Sequence, residues 1–154
     1  MHISLAFLDA GDEVLIPNPG YPTYTSVSKI VGAKPKYYEL SESNSWLPNL
    51  EKLKKMNLSK VKIMWVNYPN MPTGSNCSLS FFNDLISFCE EKNILLINDN
   101  PYSFILNENP VSLLMAKKSK NCLELNSLSK SHNMAGWRLG TVSYTHLRAH
   151  ETKA

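Results

Sequence analysis

Ser127, Ser129, Lys130, Ser131 and Arg138 lie in the stretch NSLSKSHNMAGWRLG, Asn126 to Gly140, where one primary amine sits among three hydroxyls and a guanidinium follows eight residues later. An amine attacks a carbonyl carbon when its surroundings lower its pKa. A forked guanidinium with hydroxyls beside it matches a phosphate dianion. Taken alone, a serine-rich surface loop with a solvated lysine is the commoner explanation of such a stretch. Three other segments change the weighing: NPGYPTY with Tyr21, NYPNMPTG with Asn70, and DNPY with Asp99 and Tyr102 each follow a run that reads as a strand.

Those runs are EVLIP, AKPKYYEL, VKIMWVN, ILLIND and CLELNS. Between them, TYTSVSKIVG reads as a helix stopped by Gly32, NLEKLKKM as a short helix, and SLSFFNDLISFCEEKN as an amphipathic helix with Leu79, Phe82, Leu85, Ile86, Phe88 and Cys89 on one face. The opening MHISLAFLDAG reads as a helix with Ile3, Leu5, Ala6 and Leu8 apolar and Gly11 at its end. Strands alternating with helices predict an α/β domain with a mainly parallel sheet and helices on both faces. The unbroken apolar character of ILLIN and IMWV fits strands buried on both sides. In such sheets ligands gather outside the carboxyl ends of the strands, which is where the four segments fall.

Bulk properties narrow the class. With 154 residues and 43% of them hydrophobic, the chain is large enough for one domain with a real core. A net charge of +3, spread along the chain, is too small for a nucleic-acid-binding stripe. Cys77, Cys89 and Cys122 are odd in number and lack ligand spacing, so neither a disulfide framework nor a metal site is expected. No apolar run approaches the roughly 20 residues of a membrane span, and the start is unlike a signal peptide. A cytoplasmic protein without membrane or nucleic-acid partners is the expectation.

In this order, P-G-Y-P-x-Y, Y-P-N-x-P-T-G, D-x-P-Y and S-x-S-K with G-W-R-L-G resemble the large domain of the class I/II aminotransferases, fold-type I enzymes that use pyridoxal 5'-phosphate; the similarity covers roughly residues 1–142. The resemblance implies that Lys130 holds the cofactor as a Schiff base and shuttles the substrate proton. It implies that Asp99 keeps the pyridine nitrogen protonated, and that Arg138 and Ser127, with Ser129 beside them, bind the phosphate. Tyr102 is implied as donor to the phenolic oxygen and Tyr21 as the aromatic stacked on the ring. The implied substrates are an amino acid and a 2-oxo acid, and the implied parent is a homodimer; a lyase or synthase of the same fold is the neighbouring chemistry. Met71 stands where the family most often has asparagine before P-T-G, and a thioether cannot donate a hydrogen bond. That contact is expected from Asn70 or Asn67, or else Tyr102 acts alone.

The family's upstream Gly-rich loop and its C-terminal small domain have no counterpart in the sequence. Residues 1–142 are therefore expected to be a partial cofactor-binding domain truncated at both ends, with Met1 internal to a longer chain. Residues 143–154, SYTHLRAHETKA, are expected to be a non-family tail of artefactual origin without strand or helix. A non-catalytic fragment is the competing reading of the whole. Among single residues, Asp99 could instead cap a helix beginning in NPYSF. Tyr24 is expected to be an ordinary core aromatic, His132 a packed or solvent-facing residue, and the cysteines small core residues. His2, His146 and His150 receive no role.

Overall fold

Successive residues of the apolar runs go to opposite sides of one sheet. Val14, Ile16, Ile63, Trp65, Ile97 and Leu123 pack on one side, and Leu15, Met64, Val66, Leu96 and Cys122 on the other, as a two-residue side-chain period requires. A computed structural model describes residues 1–105 and 107–144. Most of the polar tail, with His146 and His150, lies outside the described residues.

The strands are β1 (Glu13–Asn18), β2 (Lys34–Glu39), β3 (Val61–Val66), β4 (Leu95–Asn100), β5 (Cys122–Ser127) and β6 (Gly140–Tyr144). They form one sheet in the order β2-β1-β3-β4-β5-β6. The first five run parallel, and β6 returns antiparallel to β5. The helices are α1 (His2–Phe7), α2 (Pro22–Ile30), α3 (Leu50–Lys54), α4 (Leu79–Glu91) and α5 (Leu128–Ser131). Leu8, Tyr24 and Ala33, from the α1 and α2 region, cover one face. Leu53 of α3 and Phe82, Leu85, Ile86, Phe88 and Cys89 of α4 cover the other. The expected mainly parallel α/β architecture is what forms.

Local chemistry sets the element ends. Ser78 accepts from the Phe81 amide at 3.1 Å and Asn49 from the Lys52 amide at 3.0 Å, capping α4 and α3. Gly32 follows α2 with φ +79°, and a Cβ there would stand 3.0 Å from that of Ala10. Pro17 is accommodated because the pairing of β1 with β3 stops at Leu15, leaving a neighbour strand on one side only.

Two expectations are corrected. The apolar pattern of the first helix does not mark its buried face, because Leu5 is 57% exposed while Ser4 is buried. Its end also falls at Phe7, four residues before Gly11. At the other end, β6 runs on through Ser143 and Tyr144, two residues of the segment expected to hold no strand.

The connection leaving β1 goes to β2 on one side, whereas β3 lies on the other side of β1 and leads on to β4 and β5. The strand order reverses there, and a crevice opens at the carboxyl ends of the strands.

Candidate active site

The crevice is a cleft of about 310 Å³, within the range of about 300–1,000 Å³ usual for small-molecule sites. Each wall comes from a different strand exit: Tyr21 and Tyr24 after β1, Asn67 and Met71 after β3, Asp99 and Tyr102 at the end of β4, and Ser127, Ser129 and Lys130 at the β5–α5 junction. Arg138 closes the side that leads into β6. Residues up to 117 positions apart thus share one cavity, from Tyr21 to Arg138.

Asp99 is the chemical centre of the floor. Its Oδ2 accepts from the Tyr24 hydroxyl at 2.8 Å. Burial raises the Asp99 pKa, and the Tyr24 bond opposes the rise without cancelling it. Burial, and after it the charge of Asp99 and the bond to it, hold the Tyr24 phenol far above its ordinary value, so it stays a donor. Tyr24 is itself fixed by stacking on Trp65, with ring centroids 4.8 Å apart and planes 10° from parallel. A turn, not a helix, follows Asp99 at 103–104, which disposes of the capping alternative.

Lys130 is exposed at the rim on the short α5. The turn that presents it is organised by Ser127, whose Oγ accepts from the Ser129 amide at 3.2 Å and donates to the Ser129 hydroxyl at 2.9 Å. Arg138 adopts φ +53°, a left-handed conformation that costs a non-glycine residue about 1–2 kcal/mol. One guanidinium nitrogen donates to the Ala135 carbonyl at 2.8 Å, closing the loop on itself. Tyr21 is half exposed and meets Tyr24 edge-on, with centroids 5.7 Å apart.

Asn70 is the expected site residue that the structure does not bring to this cleft. It is buried beside a neighbouring cavity, and its Oδ1 accepts from the Thr73 hydroxyl at 2.8 Å within its own turn. Asn67 lines the cleft instead, but both ends of its amide are engaged: Nδ2 donates to the Asp99 carbonyl at 2.6 Å and Oδ1 accepts from the Met71 amide at 2.8 Å. It braces two strand exits against each other. His132 stays outside the cleft, exposed, 2.8 Å from the Ser131 hydroxyl.

Tyr24, expected to be an ordinary core aromatic, is buried as such and also reaches the cleft through its hydroxyl, a role the sequence did not show. The available signal was its spacing: in PGYPTY it lies three positions after Tyr21, the extended residue that caps α2, close enough for the two rings to meet.

The arrangement brings two hydroxyls, a guanidinium, an amine at the rim and a desolvated acid to one cleft. The acid suits a cationic ring nitrogen, because a positive charge there would offset the cost of its burial.

Comparisons with known proteins show the family. The family model described as aminotransferase class I and II matches residues 2–151. The LL-diaminopimelate aminotransferase of Dehalococcoides mccartyi is 45% identical over 142 residues, covering 90% of this chain and 37% of that protein. Its counterpart from Aquifex aeolicus is 40% identical over the same length and shares. Among solved structures, apo-BacF from Bacillus subtilis superposes with a TM-score of 0.87 at 39% identity, covering 92% of this chain and 37% of that one. An aromatic aminotransferase from Pyrococcus horikoshii does so with a TM-score of 0.84 at 30% identity, over 92% and 39%. The chain thus spans about 37% of the length of the curated relatives it matches. With the family model covering nearly its whole length and the strand-end motifs gathered around one cleft, the chain belongs to the class I and II aminotransferases.

Proposed function

We propose that the chain carries the cofactor-binding part of a pyridoxal 5'-phosphate-dependent aminotransferase, which moves an amino group from an amino acid to a 2-oxo acid. The observation that carries this reading is the meeting of Lys130 and Asp99, from the ends of two neighbouring strands, in one cleft. The residues present fit the cofactor, since the desolvated Asp99 carboxylate calls for a cation at the cleft floor.

When bound, pyridoxal phosphate supplies an aldehyde carbon and an electron-withdrawing ring. Asp99 would hold a proton on the ring nitrogen by charge attraction, while Tyr24 keeps the carboxylate oriented through its 2.8 Å bond. Ser127, Ser129 and Arg138 would hold the phosphate, and the Tyr21 ring would stack on the cofactor ring. Tyr102 would donate to the phenolic oxygen; the Met71 thioether cannot, while Asn67, with one N–H given to the Asp99 carbonyl, keeps a second N–H for the same contact. Lys130 would hold the cofactor through its amine, and the same amine would take and return the proton at the substrate Cα.

The first amino donor to test is LL-diaminopimelate, which names relatives up to 45% identical to this chain. A homodimer and a cytoplasmic location complete the reading; among the described residues no helix is long and apolar enough to cross a membrane. A second reading, binding without turnover by these 154 residues alone, draws on the exposure of Lys130 and Arg138 at the rim.

The test is an absorbance scan of the chain with pyridoxal phosphate, then borohydride reduction and peptide mapping. The expected label is on Lys130 and is lost in Lys130→Ala. Label scattered over surface lysines in equal measure overturns the assignment.

A further inference from the structure

On the opposite face of the sheet from Asp99, and on the neighbouring strand in register with Asn98, lies a second carboxylate that the chemistry above does not use. Glu124 of β5 is 2% exposed, and its two oxygens receive four donors. Oε1 accepts from Asn100 Nδ2 at 3.2 Å and from the Ser112 hydroxyl at 2.8 Å. Oε2 accepts from Asn98 Nδ2 at 3.0 Å and from the Leu113 amide at 2.7 Å. A carboxylate suits this place because it is an acceptor only, with room for about four hydrogen bonds. A glutamine would turn an NH2 group toward groups that themselves donate.

The positions of these donors give the network its meaning. Asn98 and Asn100 flank Asp99 on β4, so they point to one face while Asp99 points to the cleft. Asn100 and Ser112 are the two ends of the excursion that carries Tyr102, and both bind the same oxygen of Glu124. Asn98 extends the network to the exit of β3: its Oδ1 accepts from the Tyr68 amide at 3.0 Å and its Nδ2 donates to the Tyr68 carbonyl at 3.3 Å. Tyr68 begins the turn that bears Met71. One buried side chain therefore ties together the strand ends that present Asp99, Tyr102 and Met71.

We propose that Glu124 is a positioning residue of the site, clamping both ends of the 100–112 segment so that Tyr102 stands over the cleft at a set distance from Asp99. It touches neither cofactor nor substrate and acts through the backbone of that segment. The proposal rests on the reading of the cleft as a pyridoxal-phosphate site, so its test has one arm with the cofactor and one without.

Without cofactor, amide hydrogen exchange is compared between the chain and Glu124→Gln. Exchange at 100–113 is expected to quicken at least about tenfold, with the α4 amides unchanged, as for the local opening of one unit. Unchanged protection at 100–113, or equal loss everywhere, overturns the clamp. With cofactor, the pH midpoint of the bound-cofactor absorbance is measured in wild type, Glu124→Gln, Tyr102→Phe and the double variant. The expected result is a shift from Glu124→Gln that disappears in the Tyr102→Phe background, since a positioning effect relayed through Tyr102 needs its hydroxyl. Equal shifts in both backgrounds overturn that relay. Failure of wild type to bind the cofactor at Lys130 counts against the site reading alone, and the exchange arm still decides the clamp. Should Glu124→Gln fail to fold, Ser112→Ala removes one donor to Oε1, keeps the carboxylate, and is read by the same two arms.

Discussion

The Tyr24 hydroxyl stands 2.8 Å from Asp99 Oδ2 while its ring lies stacked on Trp65. One aromatic thereby belongs to the hydrophobic core through its face and to the cleft through its edge. The stack holds the ring from below, so the direction of the hydrogen bond, and with it the Asp99 carboxylate, is set by core packing. The Tyr24 bond favours the charged form of Asp99 without cancelling the effect of its burial.

Removing that donor exposes what it does. In Tyr24→Phe the stack on Trp65 survives, and the one hydrogen bond that draws Asp99 downward is lost. The expected cost at neutral pH is about 1.5–3 kcal/mol, the range for a hydrogen bond to a charged group. Urea unfolding at pH 7 and at pH 4 measures it, with a smaller difference expected at the lower pH, where Asp99 gains a proton.

Asp99 itself makes stability depend on pH. Its folded-state pKa lies above the unfolded one because burial disfavours the charge. The stability it contributes is therefore fully present below the unfolded value, roughly pH 4, and is lost as pH rises through the folded value. Asp99→Asn is expected to be more stable than the parent chain at pH 7 by about 0.5–2 kcal/mol, as when a site acid is relieved. Thermal unfolding across pH 4–8 should show the two curves converge at the acid end, and the variant should bind pyridoxal phosphate poorly.

Met71 offers a gain-of-contact test. Met71→Asn puts a donor in the cleft where the wild-type thioether has none. One added hydrogen bond is worth about 0.5–1.5 kcal/mol, so a cofactor titration by absorbance should show affinity rising by up to about tenfold. No change, or a weakening, would mean that this position does not face the bound ring.

The cysteines report on the core. Cys77, Cys89 and Cys122 are all buried, and burial pushes the Cys77 thiol up to about 12. A thiol-labelling reagent at pH 8 is expected to react slowly with the folded chain and fully after denaturation. Phe82→Ala, which empties a fully buried place on α4 against Tyr68, is expected to cost about 3–5 kcal/mol in urea unfolding. It should also make all three thiols reactive.

The amino-acid sequence by itself determined the alternation of strands and helices, their placement to within a few residues, and the residues at the strand ends. Apolar runs, helix periodicity and turn residues are local, and short-range sterics and burial read them directly. It also singled out Tyr21, Asp99, Tyr102, Ser127, Lys130 and Arg138, which the structure gathers around one cleft. What only the tertiary structure decided were matters of facing and pairing. Asn70 and Asn67 are three positions apart and chemically identical, yet the fold of their turn sends one to a neighbouring cavity and uses the other as a brace. Tyr24 gains its partner from a strand 75 positions away, and Glu124 in the run CLELNS looks like an ordinary half-buried strand acid until four donors converge on it. The antiparallel β6, including Ser143 and Tyr144, exists because β5 offers it an edge. A short polar segment carries no local signal of its own for such pairing, whose free energy comes from a partner strand.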